Sequence, residues 1–361
     1  MDSSELAALI DVFPGRTVAV IGDAVADEFV YGRVARVSRE APVLILEYDS
    51  TEIVPGAGGN AANNVAALGG RASLVSVIGG DDAGRRMLAS LHPRVKHTGV
   101  TRAAGGTVIK TRILAGGIHS AKQQVVRIDR GVGRPVDARA RARFERAALA
   151  SLPGADAVLM SDYGSGLVTP ALARRVSSAL RTARHPIPVL IDSRYRLLEY
   201  RGLTACTPNE SEVEQALGVR INDSARALER AGRLLLKQTA MKAVLITRGG
   251  RGMALFVPGA DTVHIPIHGS DEIADVTGAG DTVMATMTLA LAAGATFEAA
   301  ARLANYAGGI VVMKRGTATV SRQELRAAVN LSRRSDGAKR SATADLSRRS
   351  AGAKRGAKAD G

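Results

Sequence analysis

The stretch Asp275-Val-Thr-Gly-Ala-Gly-Asp281-Thr-Val-Met-Ala-Thr-Met287 places two carboxylates on either side of a Gly-Ala-Gly turn and then continues into an apolar, helix-forming run. A helix N-terminus carries unpaired N–H groups and about half a positive charge, so this turn can present backbone donors to a phosphate group. Glycine allows such a ligand to come close. The stretch therefore predicts an anion-binding turn at the start of a helix.

Asp281 falls in the first turn of that helix, and two explanations of it are open. An acid at this position stabilises the helix dipole by about 0.3–1 kcal/mol without any catalytic role. Alternatively, the carboxylate takes a proton from a hydroxyl group while the turn holds the phosphoryl group that the hydroxyl attacks. The second explanation predicts a kinase acting on an alcohol.

The chain around this motif alternates apolar, strand-like runs with helical stretches. Such alternation is typical of parallel strands with helices on both faces, and ligands then bind at the carboxyl ends of the strands. The predicted strands are 16–22, 73–79, 157–161, 188–192 and 243–247, and the predicted helices include 60–69, 170–184 and 224–238. The sequence therefore predicts an α/β fold in which polar residues after the strands are candidate site residues.

Three further runs, 42–48, 106–114 and 123–129, look like strands without partner helices. In several of them apolar and polar residues alternate, as expected for a sheet that is covered on one face only. They predict a small β-sheet lid, with its strands within about residues 30–54 and 105–130. A lid over a pocket at the strand ends would exclude water from it.

Composition predicts a soluble, cytoplasmic protein. Of the 361 residues, 46% are hydrophobic, which is enough for a large core. The single cysteine, Cys206, excludes an intramolecular disulfide and suits a reducing compartment. No run approaches the roughly 18 apolar residues that a membrane span needs, and the first residues lack the basic lead of a secretory signal.

The formal charge of +15 is concentrated toward the end of the sequence. Residues 331–361 contain nine Lys or Arg and three Asp, and LSRRSDGAKR from Leu331 returns as LSRRSAGAKR from Leu346. With few large apolar side chains, this tail is predicted to be disordered. It could be a solubilising tail or an arm that binds polyanions weakly. Because Trp is absent and aromatic residues are scarce, a nucleic-acid role would rest on charge alone.

Two glycine-rich stretches resemble known signatures. DVTGAGDT from Asp275 resembles the carboxyl-terminal signature of the ribokinase-like (pfkB) carbohydrate kinases, and PGAGGNAANN from Pro55 is similar to their amino-terminal signature. The resemblance spans about residues 14–330. Within the family the chain looks most like the D-glycero-β-D-manno-heptose 7-phosphate kinases. The stretches that carry this likeness are VIGDAVAD from Val20, YGRVARVSREAP from Tyr31, QQVVRID from Gln123, SDYG from Ser161 and TPNESE from Thr207.

The resemblance implies a ribokinase-like three-layer α/β/α fold for residues 1–330, with a mostly parallel central sheet and a small β-sheet lid. It implies transfer of a phosphoryl group from ATP, with Mg²⁺, to O1 of heptose 7-phosphate. Another sugar, a sugar phosphate or a nucleoside remains an alternative acceptor. An inactive sugar-binding or scaffold protein is the alternative from another class, although retention of Asp281 and the glycine turn argues against it. A homodimer formed through the lid strands is also implied.

The resemblance also implies roles for single residues. Asp281 would be the general base, and the backbone of Gly278, Ala279 and Gly280 would form the anion hole. The sugar would contact Asp23, Gly58, Gly59 and Asn60; the nucleotide would contact Asn209, Arg194, Thr247, Arg248, Gly250 and Asn305; and Glu212 with Asn209 would position Mg²⁺ through water. A sugar phosphate brings a second dianion, for which the basic candidates in or near the lid are Arg36, Lys110, Arg112 and Arg127.

Several of these residues have plain structural explanations. Asp23 could cap a turn, and Asn209 with Glu212 could form the start of a helix. The glycines of the Pro55 signature could be ordinary loop residues, and GAGGNA from Gly56 also fits a dinucleotide-binding pattern, although it does not open the first strand–helix unit. The basic lid residues could be an ordinary polar face.

The chain departs from the heptose kinase pattern in two segments. Residues 115–122 form an unexpected connection before Gln123. Asp192-Ser-Arg194 stands where those kinases usually have Asp-Pro-Lys, which leaves Arg194 as a phosphate contact with altered geometry. The sequence is further expected to be a kinase alone, because no nucleotidyltransferase domain follows residue 330.

Overall fold

The structure, a computed structural model, describes residues 3–116, 122–269 and 275–331. Its helices are α1 (Ser3–Val12), α2 (Gly58–Ala67), α3 (Asp82–Ala89), α4 (Ala138–Ala150), α5 (Pro170–Leu180), α6 (Glu210–Leu217), α7 (Ala225–Thr239), α8 (Ala279–Ala292) and α9 (Phe297–Val311), followed by a helix over 322–331. Its strands are β1 (Thr17–Gly22), β2 (Ala24–Val37), β3 (Leu44–Ala57), β4 (Arg71–Val75), β5 (Val77–Gly79), β6 (Val95–Lys96), β7 (Thr101–Ala103), β8 (Ile109–Gly116), β9 (Gln123–Arg130), β10 (Ala157–Asp162), β11 (Val189–Ser193), β12 (Ala205–Cys206), β13 (Ala243–Thr247), β14 (Met253–Phe256) and β15 (Val263–Ile265).

The central sheet has the order β15-β14-β13-β12-β11-β10-β1-β4-β6 within the described residues. Pairing is parallel from β6 to β13, and β14 pairs antiparallel with both of its neighbours. From β1 the chain builds the sheet outward through β4 to β6, and it then returns to place β10 on the other side of β1. The carboxyl ends of β1 and β10 therefore flank a topological switch point, where ligands of such sheets bind.

Successive side chains of the central strands enter two different cores. In β1, Val18 and Val20 pack with α1, α2, α8 and α9, whereas Ala19 and Ile21 pack with α4, α5, α6 and α7. Burial on both faces explains why these strands read as continuous apolar runs rather than as alternating ones. The three-layer α/β/α architecture with a mostly parallel sheet is confirmed.

A second sheet, with the order β3-β2-β8-β9, forms the lid. The strand β2 begins directly after Asp23, and β3 leads back into α2 at Gly58, so the lid rises from the carboxyl edge of the central sheet. The lid predicted from the sequence, within about residues 30–54 and 105–130, includes the second half of β2, but none of the predicted strands covers β2. Register shifts at Tyr31/Gly32 and Val34/Arg36 interrupt the period-two pattern by which a strand is recognised.

One predicted strand is divided. Residues 73–79 form the end of β4, which pairs with β1, and then β5, which pairs with β7 in a separate small sheet. No helix in the described ranges is both long and apolar enough to cross a membrane. The predicted disordered tail lies outside the described residues from residue 332 onward, as does most of the unusual connection at 115–122.

Candidate active site

Asp281 lies in the first turn of α8, after the glycine turn. Gly278 is the N-cap, and its φ of 77° lies in the left-handed region that favours glycine. The N–H of Ala279 donates to the Val276 carbonyl at 3.2 Å. Within the described ranges the Gly280 N–H has no acceptor, and a Cβ built at Gly280 would meet nothing within 4 Å. The turn therefore offers the Gly280 amide, rather than that of Ala279, to an anion.

The Asp281 carboxylate is buried, with 4% exposed, and accepts two side-chain hydrogen bonds. Asn60 Nδ2 donates to Oδ2 at 2.8 Å, and the Tyr163 hydroxyl donates to Oδ1 at 2.9 Å. Burial raises the pKa of Asp281 to about 7, against the hydrogen bonds from Asn60 and Tyr163, which lower it. A carboxylate with a pKa near neutrality is suited to accept a proton at physiological pH.

A buried network fixes the orientation of the Asn60 amide. Asn64 Nδ2 donates to Asn60 Oδ1 at 3.0 Å, so the Asn60 oxygen is occupied and its nitrogen faces Asp281. The Thr282 hydroxyl in turn donates to Asn64 Oδ1 at 3.1 Å. The start of α2 and the start of α8 are thus joined through three side chains, and this network holds the carboxylate in place.

Asp23 follows β1 at the switch point and is buried. Its Oδ2 accepts the Tyr163 N–H at 2.7 Å, and its Oδ1 accepts the Ser165 hydroxyl. The Gly58 N–H donates to the Asp23 carbonyl at 2.8 Å, and a Cβ on Gly58 would lie 2.9 Å from that oxygen. In this structure Asp23 therefore fixes the turn after β10, rather than a turn of its own segment, and Gly58 is required for a close backbone approach.

The lid contributes a buried ion pair beside the site. Arg112 Nη1 donates to Asp27 Oδ1 at 2.6 Å, and the Arg112 guanidinium lies over the ring of Phe29. The Thr317 hydroxyl donates to the other Asp27 oxygen at 3.2 Å. Because its charge is paired with Asp27, Arg112 joins β8 to β2 within the lid and does not present a free positive charge.

A cavity of about 410 Å³ lies between the lid and the switch point. Asp23, Tyr163, Lys110, Arg127 and Arg194 are among its lining residues. Burial lowers the pKa of Lys110, with the positive charges of Arg194 and Arg127 adding to the effect while Asp27 and Asp129 oppose it. The structure thus brings three of the predicted cations to one cavity.

Two of these cations differ in how far they are neutralised. Arg127 is held by Asp129 through two hydrogen bonds, at 2.7 and 2.6 Å. Arg194 is exposed after β11 and has no ion pair among the described residues. Arg36, by contrast, lies nine residues beyond Asp27 along β2, about 30 Å of extended chain, and does not line the cavity.

Four of the residues predicted to contact the nucleotide, Asn209, Thr247, Arg248 and Gly250, lie at or just after the carboxyl ends of β12 and β13. Asn209 and Glu212 form a capping box at the start of α6, so the helix-start explanation of this pair is correct. This structural role does not exclude a second role in binding. Arg248 Nε donates to Glu210 at 2.7 Å, and Thr247 forms an isolated bridge with Asn209. A Cβ built at Gly250 would meet nothing within 4 Å.

Asn305, predicted to close the adenine pocket, lies in α9 and is buried. Its Nδ2 donates to the Pro266 carbonyl at 2.8 Å, so the amide holds the segment after β15 against α9. The remaining carbonyl oxygen of Asn305 has no partner among the described residues. The structure thus gives Asn305 a structural contact and leaves its predicted contact with the nucleotide untested.

Asp192 near the end of β11 and Glu212 at the start of α6 offer oxygen ligands suitable for a hard cation, although no cluster of three or more potential ligands is present in the described ranges. Burial raises the pKa of Glu212 and, more strongly, that of Asp192, whose carboxyl group is also repelled by Asp281 and Glu212. Mg²⁺ keeps much of its hydration and needs only one or two carboxylates beside the substrate phosphates. Glu212 and Asp192 fit that requirement.

Sequence reasoning missed Tyr163 and Asn64 as members of the site. Tyr163 was visible as a polar residue directly after a strand, which is the position where site residues were expected. Asn64 could not be recognised from the sequence, because it acts on the site only by orienting the amide of Asn60. Asp192 was noticed only as part of a departure from the family pattern.

Known proteins resemble the chain over most of its described length. The family described as pfkB family carbohydrate kinase matches residues 16–324. "Bifunctional protein HldE" of Caulobacter vibrioides is 40% identical over 92% of this chain, and the chain covers 67% of that protein. The HldE proteins of Trichlorobacter lovleyi and Geobacter sulfurreducens are 40% and 41% identical over 89% and 85% of the chain, which covers 64% and 61% of them. The chain thus spans about two thirds of the length of these relatives.

Solved structures share the fold at low identity. Ribokinase from Arabidopsis thaliana, complexed with ribose and ATP, superposes with a TM-score of 0.65 at 20% identity, covering 87% of this chain and 98% of that one. Phosphofructokinase-2 from Escherichia coli, in complex with fructose-6-phosphate, gives 0.66 at 16% identity, covering 88% and 98%. The ribokinase-like fold that the sequence predicted is therefore confirmed.

Proposed function

The chain belongs to the pfkB family of carbohydrate kinases, phosphotransferases that act on a sugar hydroxyl, and from that membership we propose that it phosphorylates D-glycero-β-D-manno-heptose 7-phosphate at O1. The product would be heptose 1,7-bisphosphate, and the donor would be ATP. The observation that carries the proposal is the buried Asp281 carboxylate with its pKa near 7, one residue after an open amide at a helix N-terminus.

In the proposed reaction Asp281 accepts the proton of the O1 hydroxyl as that oxygen attacks the terminal phosphorus of ATP. The Gly280 N–H and the positive end of α8 stabilise the negative charge on the phosphoryl oxygens. The network of Asn60, Asn64 and Thr282 keeps the carboxylate oriented, so little reorganisation accompanies the proton transfer. Positioning and electrostatics supply most of the catalysis of phosphoryl transfer.

A sugar phosphate is favoured over a plain sugar by the charge in the cavity. Lys110 and Arg194 line it, and neither has a carboxylate partner among the described residues. A dianionic phosphate would neutralise both charges, and it would offset the repulsion from Arg194 and Arg127 that adds to burial in lowering the pKa of Lys110. Another sugar phosphate, a free sugar or a nucleoside remains the alternative acceptor.

The proposal includes Mg²⁺, which would neutralise the charge of the nucleotide phosphates when bound. Glu212 and Asp192 are the residues that would hold it, with water completing its coordination. Asn209 would act on the same ion through Glu212, whose backbone N–H donates to the Asn209 side chain at 2.9 Å. The cytoplasmic location suggested by the sequence suits an enzyme that uses ATP, and it stays a prediction.

A homodimer through the lid is also part of the proposal. The outer face of the lid, opposite to the cavity, carries the aligned row Val30, Ile113 and Val126, with Ile128 beside it. Val126 and Ile128 are each 48% exposed. Covering these side chains with a second copy of the same face would remove apolar surface from water.

The test is ATP consumption against a panel of sugars and sugar phosphates that includes heptose 7-phosphate. Heptose 7-phosphate is expected to give the highest kcat/KM, and product analysis should locate the new phosphate on O1. Replacement of the base, in Asp281→Asn, should lower kcat by about 10²–10⁴-fold while ATP affinity is nearly kept.

The matched control is Asp261→Asn, in an exposed loop, which should keep full activity. A higher kcat/KM for another acceptor would replace the substrate assignment but leave the reaction class intact. Full activity of Asp281→Asn would overturn the proposed mechanism.

A further inference from the structure

Tyr163 contacts the proposed base without a part in the proposed reaction. Its hydroxyl donates to Asp281 Oδ1 at 2.9 Å, and Asn60 donates to the other oxygen. A carboxylate oxygen accepts about two hydrogen bonds, so each Asp281 oxygen keeps one free position. An acceptor hydroxyl can therefore bind to the carboxylate while both protein donors stay in place.

The ring of Tyr163 makes a second contact, with Lys110. The Lys110 ammonium lies 5.0 Å from the ring centroid, within the range of a cation–π interaction. In the part of the chain that the structure describes, Lys110 forms no ion pair, although the charge of Asp281 is close enough to interact with it. Tyr163 thus contacts a cation with its ring and a carboxylate with its hydroxyl, and the two opposite charges remain unpaired.

The backbone of Tyr163 is held firmly. Its N–H donates to Asp23 Oδ2, and Ser165, two residues on, bonds to the same carboxylate. Gly164 between them has a φ of 88°, which a residue with a side chain rarely adopts. A Cβ at Gly164 would also lie 2.9 Å from the Tyr195 ring. The direction of the Tyr163 side chain is therefore set by the turn after β10.

We propose that Tyr163 is a positioning residue for the reaction: its hydroxyl orients the Asp281 carboxylate, and its ring keeps Lys110 available for the phosphate of the acceptor. The inference rests on the proposed function, because it takes Asp281 as the base and a sugar phosphate as the acceptor. It adds a residue that links proton removal at one end of the substrate to phosphate binding at the other.

Two substitutions separate the two contacts. Tyr163→Phe keeps the ring and removes the hydroxyl, so the ionised form of Asp281 loses a donor and its pKa should rise. Tyr163→Leu removes the ring as well, and Lys110 is then free to pair with Asp281. That ion pair would lower the pKa of the carboxyl group and withdraw the cation from the cavity.

The experiment measures kcat/KM for the acceptor from pH 5.5 to 9, because this parameter reports the ionisation of the free enzyme. In Tyr163→Phe the acidic limb of the pH profile should move to higher pH by about one to two units. The value of kcat/KM near pH 9 should stay within several-fold of that of wild type. In Tyr163→Leu the acidic limb should move to lower pH, and the KM for the acceptor should rise about tenfold or more.

Tyr48→Phe is the matched control, since Tyr48 is 68% exposed on the lid and pairs with Gly32, nine residues along the chain from Asp23. Its profile should coincide with that of wild type. Ionisation of the substrates is common to all variants, so a shift between profiles belongs to the protein. A uniform loss of rate at every pH, without a shift, would assign Tyr163 a merely structural part and overturn the inference.

A second measurement needs no turnover. The carboxyl C=O infrared band of Asp281, identified by its disappearance in Asp281→Asn, gives the pKa of this residue in the free protein. An equal pKa in wild type and Tyr163→Phe would refute the inference for any acceptor. If wild type accepts no sugar phosphate, the proposed function fails, and the infrared titration still decides the contact between Tyr163 and Asp281.

Discussion

As the proposed base, Asp281 would serve catalysis at the expense of the fold, because its carboxyl group is buried and its pKa is raised. In an unfolded chain its pKa would be about 3.9, against about 7 in the folded protein. Below pH 4 the group is protonated in both states. Between pH 4 and 7 the unfolded chain releases the proton that the folded protein retains, so stability falls as the pH rises; above pH 7 the loss is constant.

Asp281→Asn should therefore stabilise the protein at alkaline pH. The amide is neutral and can still accept a hydrogen bond from Asn60, so the variant avoids the cost of a buried charge. We expect its free energy of unfolding to exceed that of wild type by about 2–4 kcal/mol at pH 8, and by less than half as much at pH 5. Urea unfolding at both pH values measures this difference.

The exposed residue Asp261 again supplies the control, because Asp261→Asn should leave the free energy of unfolding unchanged at both pH values. The same stability difference at pH 5 and pH 8 would show that the ionisation of Asp281 does not act on the fold. A variant that is more stable and far less active is the pattern expected when a charge is buried for catalysis.

At the scale of residues, the sequence predicted those site residues whose role follows from their immediate neighbours in the chain. Asp281 and Gly278 were found because a glycine turn before a helix has a meaning by itself. The role of Asp23 as the holder of the turn at Tyr163 could not be predicted, since the two residues are 140 positions apart. Likewise, nothing in the sequence shows that Asp27 forms an ion pair with Arg112, and this pair neutralises a predicted phosphate ligand.

The N-terminus of α8 is the element on which the proposed anion hole depends, and its two glycines should respond differently. A methyl group at Gly278 would lie 2.6 Å from Asn60 Nδ2 on a backbone with positive φ. Gly278→Ala should thus cost about 1–2 kcal/mol of stability, and lower kcat by displacing the amide that orients Asp281.

Gly280→Ala should leave stability unchanged, because the added methyl group meets no protein atom. It would enter the space proposed for the phosphoryl group, and kcat/KM for ATP should fall about tenfold or more. Thermal unfolding and steady-state kinetics of the two variants measure the contrast. Equal kinetic constants for Gly280→Ala and wild type would show that this turn does not form the anion hole.

The start of α6 allows the metal to be tested apart from the helix cap. Glu212→Gln keeps the capping box, since glutamine also accepts from the N-cap N–H, but it removes the charge proposed to hold Mg²⁺. The unfolding temperature should stay constant, and the Mg²⁺ concentration for half-maximal rate should rise about tenfold.

Glu214→Gln on the same helix is the control, because its side chain accepts from the Ile221 N–H and glutamine can do the same. Its requirement for Mg²⁺ should match that of wild type. An unchanged Mg²⁺ requirement in Glu212→Gln would leave this residue with a capping role alone.

At the scale of elements, the central strands were predicted well because burial on both faces leaves a continuous apolar run. Periodicity could not show which sheet a run joins, and so β4 and β5 were taken as one strand. The long strand β2 escaped because its bulges change the side-chain alternation at two places. These register shifts depend on the pairing with β3 rather than on local sequence.

At the scale of the whole molecule, the alternation of strands and helices predicted the fold class but not the strand order. The order decides which carboxyl ends meet: it brings Asp23 after β1 and Tyr163 after β10 to one switch point, with the lid above them. The lid has one face toward this cavity. Its other face is the apolar row on which the proposed dimer depends.

Val126→Lys tests the dimer, because a charge in the apolar row would be buried without a partner on association. Wild type is expected to sediment as a dimer at micromolar concentration, and Val126→Lys as a monomer with an unchanged circular dichroism spectrum. Val12→Lys is the matched control, since Val12 is 40% exposed at the end of α1, outside the lid. A wild-type protein that sediments as a monomer would refute the dimer. A dimeric Val126→Lys variant would show that the interface does not include this row.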